Sequence, residues 1–128
     1  MNAGHRVLLV DDEPSFLVVM RRVIQSTRPD AVVVYAGDVA AAEWQLRTTD
    51  VCLVVTDMCM PSGESDGMRV VAAAREAGVP VAVLTGARGP WLDELARQDV
   101  PVLQKAELSG EAISALIARS LPPPPEAQ

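Results

Sequence analysis

The chain has 128 residues, a length that suits one domain, and 49% of them are apolar, enough for a sizeable core. A net charge of −6 and a single histidine argue against nucleic-acid binding, which requires a clustered basic face. No apolar run approaches the ~18–20 residues that span a membrane, and MNAGHRVLLV leads straight into DDEP as a strand would, not as a signal peptide.

Five short apolar runs alternate with helical patterns. The first is RVLLV, residues 6–10, followed by Asp11 and Asp12. Pro14 then suits the first turn of a helix, with Asp12 or Glu13 near its N-cap, and Phe16, Leu17, Met20 and Ile24 recur at helical spacing. Arg28-Pro29 stops that helix. The second run, AVVVYA (31–36), precedes a helix VAAAEWQLR capped by Asp38, with Val39, Ala42 and Leu46 on one stripe.

The third run, VCLVVT (51–56), ends on Asp57, and Asp66-Gly67 precedes the helical MRVVAAAREA, which closes at Gly78. The fourth run is PVAVL (80–84), followed by Thr85 and by a short helix after Pro90. The fifth is VPVLQ (100–104), followed by Lys105; Ser109 caps the last helix, with Ala112, Ile113, Leu116 and Ile117 inward. The proline-rich tail, 121–128, cannot continue it; the domain is expected over 5–120.

Short, continuously apolar strands separated by helices predict an α/β fold: a (βα)5, doubly wound, five-stranded parallel sheet of flavodoxin-like order 2-1-3-4-5. Ligands of such sheets bind beyond the carboxyl ends of the strands. Four of the five strands deliver a polar group there: Asp11 and Asp12, Asp57, Thr85 and Lys105. Carboxylates gathered so closely repel one another and recruit a cation, and hard oxygens with room for water suit Mg²⁺. Mg²⁺ and the Lys105 ammonium together would neutralise an incoming phosphoryl group. Asp57 would be its nucleophile, and the Thr85 hydroxyl would bond one of its oxygens. Taken singly, Asp11 and Asp12 read equally as helix-capping acids, Thr85 as a turn residue and Lys105 as a solvated lysine.

VLLVDDEP, VVTDMCMP, VLTGA and VLQK resemble, in order and spacing, the four motifs of the response-regulator receiver domain of two-component signalling. The resemblance spans nearly the whole chain. It implies a cytoplasmic phosphorelay switch that takes a phosphoryl group from a histidine kinase or phosphotransfer protein onto Asp57, forming an aspartyl phosphate. It catalyses uptake and loss on itself and is not otherwise an enzyme. Asp12 would be the direct Mg²⁺ ligand, Asp11 a mostly water-mediated one, and Asp57 and the backbone carbonyl of Cys59 would complete the protein's share. Thr85 would move to the phosphoryl group and Lys105 would pair with it. The face of the fourth helix, fifth strand and fifth helix would serve dimerisation or output partners.

The sequence departs from that family in four places. Gly67 comes six residues after Pro61, an insertion of about two residues in PSGESDG; Ala106 replaces the usual proline after Lys105; Val102 stands where a switch aromatic is usual; and Gly86 follows Thr85 where alanine is common. A phosphorylation-independent interaction module is therefore the alternative. An aspartate-nucleophile hydrolase is disfavoured: the acidic pair comes first, and Asp57-Met58-Cys59 lacks a second Asp. Cys52 and Cys59 are expected as free thiols, Cys52 in the core; Cys59 would tune the site or fill it. His5 is expected to be solvated, and Trp91 either an exposed anchor or part of the core.

Overall fold

The computed structural model describes residues 5–58, 65–86 and 88–123. Strands β1 (Arg6–Val10), β2 (Val32–Ala36), β3 (Val51–Asp57), β4 (Val81–Thr85) and β5 (Val102–Gln104) form one sheet in the order β2-β1-β3-β4-β5, with every pair parallel. Helices α1 (Pro14–Thr27), α2 (Val39–Thr48), α3 (Ser65–Glu76), α4 (Trp91–Arg97) and α5 (Gly110–Ser120) connect or follow them. This is the doubly wound arrangement expected from the alternating pattern.

The two-residue period of a strand sorts β1 onto both faces. Val7 and Leu9 join Met20 and Ile24 of α1 and Ile113, Leu116 and Ile117 of α5. Leu8 and Val10 join Ala42 of α2, Val70 of α3 and Leu95 of α4. Strands β3 and β4 alternate in the same way, which is why their sequences are apolar at nearly every position. Leu121, just beyond α5, is buried in the α1–α5 layer.

Local signals set most helix ends as expected. Asp38 accepts the Ala41 N–H at 2.8 Å and Ser109 accepts that of Ala112 at 3.1 Å. Gly78 turns the chain at φ 74°, a left-handed conformation that glycine adopts without strain.

Other ends differ from the sequence reading. Helix α3 begins at Ser65, so Asp66 and Gly67 belong to its first turn instead of preceding it. Strand β5 begins at Val102, two residues late, because Pro101 has no N–H to give the ladder; its carbonyl still accepts from Val83 at 2.9 Å. Strand β2 is not buried on both faces. It is an edge strand, thinly covered by helices, and Val32 and Tyr35 are exposed.

His5 is not solvated. Its carbonyl accepts the Val32 N–H at 2.8 Å, where β1 and β2 start. Its Nδ1 lies 3.0 Å from Asp30 Oδ2 and 3.1 Å from Arg28 Nη2. Arg28 in turn grips both oxygens of Asp30, Nε to Oδ1 at 2.8 Å and Nη2 to Oδ2 at 2.9 Å. Arg28 is buried, and its hydrogen bonds hold the Asp30 carboxyl at about 2, below the ordinary 3.8. A depressed acid stabilises the fold above its unfolded-state value and loses that contribution as pH falls through the folded one. Asp30→Asn should therefore lower stability at neutral pH by roughly 1 kcal/mol, a value reduced for partial exposure. The gap to the wild type should close between about pH 4 and about pH 2, read from urea unfolding midpoints across that range.

Candidate functional site

Three strands end on the site's acids and base. β1 runs into Asp11 and Asp12, β3 ends on Asp57, and β5 passes into a single 3₁₀ turn, Lys105–Glu107. The Asp11 N–H donates to the Ala36 carbonyl at 3.1 Å, which ties the end of β1 to β2. One carboxylate oxygen from each of Asp11, Asp12 and Asp57 falls within 4.8 Å of the others. Asp11 and Asp57 are buried and Asp12 is exposed, so the cluster opens to water on one side.

Lys105 supplies the counter-charge. Its Nζ donates to Asp11 Oδ2 at 3.0 Å and to Asp57 Oδ2 at 3.2 Å, and reaches the exposed Glu13 Oε1 at 3.4 Å. The other oxygens are held by backbone. Asp57 Oδ1 accepts the Met58 N–H at 2.7 Å and Asp11 Oδ1 accepts the Glu13 N–H at 3.0 Å. Burial pushes the Asp57 carboxyl up; Lys105 pulls it back, Asp11 adds to the rise, and the net shift is upward. Burial works against the Lys105 ammonium, but its bonds and charges with Asp11 and Asp57 prevail and raise it.

Thr85 is fully buried at the end of β4, in register with Gln104. Asp11, Asp12, Asp57 and Lys105 are thus brought together as the sequence predicted, and Thr85 ends the strand between those that carry Asp57 and Lys105. Cys59, most of the PSGESDG loop and Ala87 lie outside the described residues. The peptide between Lys105 and Ala106 is trans. An added Cβ at Gly86 would meet nothing within 4 Å, so alanine would fit there too. Val102 is half-buried and packs on the core layer that contains Trp91; that indole is itself buried, and its Nε1 has no partner among the described residues. Trp91 is a core residue, and Cys52 is a half-buried free thiol at the edge of the other layer.

Three contributors were not singled out by sequence. Phe16, read only as a core position of α1, lies with its ring centroid 4.4 Å from Lys105 Nζ. Glu13, read as a capping residue, makes no side-chain cap bond and faces Lys105 instead. Gly67, noted for its spacing, gives its N–H to the Met58 carbonyl at 3.1 Å. A Cβ on Gly67 would come within 2.4 Å of Met58 Cα, closer than any packing allows.

A doubly wound parallel sheet with an acidic cluster and a lysine at its carboxyl edge defines the class of phosphoryl-accepting signalling domains. The comparisons agree. Residues 7–98 match the family model of the response regulator receiver domain, and the chain belongs to that family. No curated protein matches it. Among solved structures it is similar to the signal receiver domain of a putative response regulator NarL from Mycobacterium tuberculosis. Identity is 27%, with a TM-score of 0.71, over 92% of this chain and 96% of that one. Two less identical structures share the fold. A receiver domain protein from Clostridium thermocellum has 21% identity and a TM-score of 0.71 over 91% of this chain and 93% of that one. The beryllofluoride-activated NtrC4 receiver domain dimer has 24% identity and a TM-score of 0.76 over 91% and 95%. The chain is therefore a receiver domain of the response-regulator family, and it carries an acidic cluster at the carboxyl edge of its sheet.

Two outcomes follow from this geometry. Gly67→Ala should destabilise the fold by roughly 1–3 kcal/mol through overpacking against Met58, whereas Gly37→Ala, which meets nothing within 4 Å, should be nearly neutral in the same thermal melts. Asp57→Asn should act in the opposite sense. A carboxyl raised by folding binds its proton more tightly folded than unfolded, so ionising it costs stability as pH rises through that interval. Without added metal, Asp57→Asn should gain on the order of 1 kcal/mol at neutral pH. The gain should vanish below the ordinary carboxylate range, again by urea midpoints.

Proposed function

We propose that Asp57 is the phosphoacceptor, with a histidine kinase or a histidine phosphotransfer protein as donor. The observation that carries this reading is Lys105 Nζ poised 3.0 Å and 3.2 Å from Asp11 and Asp57, inside a carboxylate cluster open to water through Asp12. An Asp57 carboxylate oxygen attacks the phosphorus and a P–O bond forms. The P–N bond to the donor imidazole breaks, its electron pair stays on that nitrogen, and the nitrogen takes up a proton. Asp57 becomes an acyl phosphate. Lys105 leaves Asp57 to pair with a phosphoryl oxygen, and the Thr85 hydroxyl bonds another.

The cluster suits a divalent cation: its donors are hard oxygens within 4.8 Å of one another, and one of them faces water. Mg²⁺ is the ion we assign; Asp11, Asp12 and Asp57 would hold it, with the Cys59 carbonyl as the further ligand that the family resemblance implies. When bound, it supplies positive charge that offsets the carboxylates and the incoming phosphoryl oxygens. Phosphorylation would bias the α4–β5–α5 face toward a homodimer or an output protein, in a cytoplasmic setting. The net charge of −6 favours protein partners over nucleic acid.

Acetyl phosphate with Mg²⁺ should add one phosphoryl group, seen by intact-mass spectrometry and mapped to Asp57. Asp57→Asn should abolish it, and Lys105→Ala should slow uptake by roughly 10²-fold. A wild-type protein that takes up none, with or without Mg²⁺, would be a phosphorylation-independent interaction module.

A further inference from the structure

We propose that Phe16 is a positioning residue for Lys105: its ring face holds the ammonium at the gap between Asp11 and Asp57. This rests on the reading of Asp57 as phosphoacceptor.

Lysine is a point charge on a flexible four-carbon stem, so its placement needs constraint from outside the chain segment that bears it. The segment bearing Lys105 is weakly fixed. β5 has three residues, all half-buried at the sheet's edge, and Lys105 opens the 3₁₀ turn that follows. Of its three carboxylate partners, Glu13 has a 63% exposed side chain, and an ion pair in that setting holds little. Asp11 and Asp57 are the very groups whose charge a bound cation would share. Their pull on Lys105 would then weaken before a phosphoryl oxygen is there to replace it.

The ring of Phe16 does not weaken in that way. Its centroid lies 4.4 Å from Nζ, well inside the ~6 Å range over which the negative face of an aromatic ring attracts a cation. Helix α1 explains why the ring is there. Phe16, Met20 and Ile24 lie on one stripe; Met20 and Ile24 are fully buried, but Phe16, one turn nearer the site, is only half-buried. It lines the same small recess as Asp11 and Asp57. An aliphatic residue would fill that recess equally well, but only an aromatic one offers a cation a negative face.

The test compares uptake from acetyl phosphate, with saturating Mg²⁺, by wild type, Phe16→Leu and Phe16→Tyr, and by protein carrying phenylalanine of increasing ring fluorination at position 16. Fluorination drains the ring face while hardly changing its shape, so it separates attraction from packing. Phe16→Leu should slow uptake roughly 3- to 30-fold, and Phe16→Tyr should retain it. The fluorinated series should slow in step with the number of fluorines. In a Lys105→Met background the change to leucine should have little further effect. Wild-type uptake with no graded loss on fluorination would overturn the role of Phe16 and leave Asp57 as the acceptor. No uptake by the wild type would overturn both.

Discussion

The ammonium of Lys105 is the constraint around which the carboxyl edge of the sheet is arranged. Asp11 and Asp57 are both buried and share with Asp12 a space of 4.8 Å. Anions at such separation in a partly dry site repel one another, which raises proton affinity, as at Asp57, and favours a cation among them. Lys105 is that cation, drawn from the far edge of the fold onto strands β1 and β3 at the middle of the sheet. It joins residues 94 and 48 positions apart in sequence. The sheet order makes this feasible: β1 and β3 are neighbours, and a parallel sheet sends all its carboxyl ends to one side.

How much of this was legible in the sequence depended on the range of the interaction. Strands β1, β3 and β4 are buried on both faces and so read as unbroken apolar runs; β2 reads the same way but lies half-exposed, because propensity does not report which strand is at an edge. Asp11, Asp12, Asp57 and Lys105 were visible because each directly follows or ends such a run. Phe16 was not, because α1 places core residues and site residues on one stripe, and sequence periodicity cannot tell the last core position from the first site position. His5 went unseen for a related reason: its partner Asp30 is 25 positions away, across the start of the sheet.

The departures from the family pattern have physical counterparts downstream of the acids. In β5, Val102 pairs with Val83 and packs in one apolar layer with Trp91 and Leu95 of α4. A valine has no ring to rotate between inside and outside, and its branched side chain has few rotamers. The packing between the strand that carries Thr85 and helix α4 is therefore aliphatic apart from Trp91, which is already buried. Gly86 is not required by crowding or by a left-handed backbone, so its effect is to leave the residue after Thr85 with more conformations.

Two aspartates at opposite ends of the same sheet show how the fold moves the proton affinity of one carboxylate down and of another up. Asp30 is gripped by the planar fork of Arg28, bonded at both oxygens, and its proton affinity falls to about 2. Asp57 also has both oxygens engaged, one by the Met58 N–H and one by Lys105, yet its proton affinity rises. The difference lies in burial and in division of the partner. Asp57 is the more deeply placed, and Lys105 divides its charge among Asp57, Asp11 and Glu13, while Arg28 holds its one carboxylate with two donors. A carboxylate that is incompletely compensated retains affinity for further positive charge. The acceptor role proposed for Asp57 would draw on that affinity, with a metal ion sharing the charge its lysine now offsets.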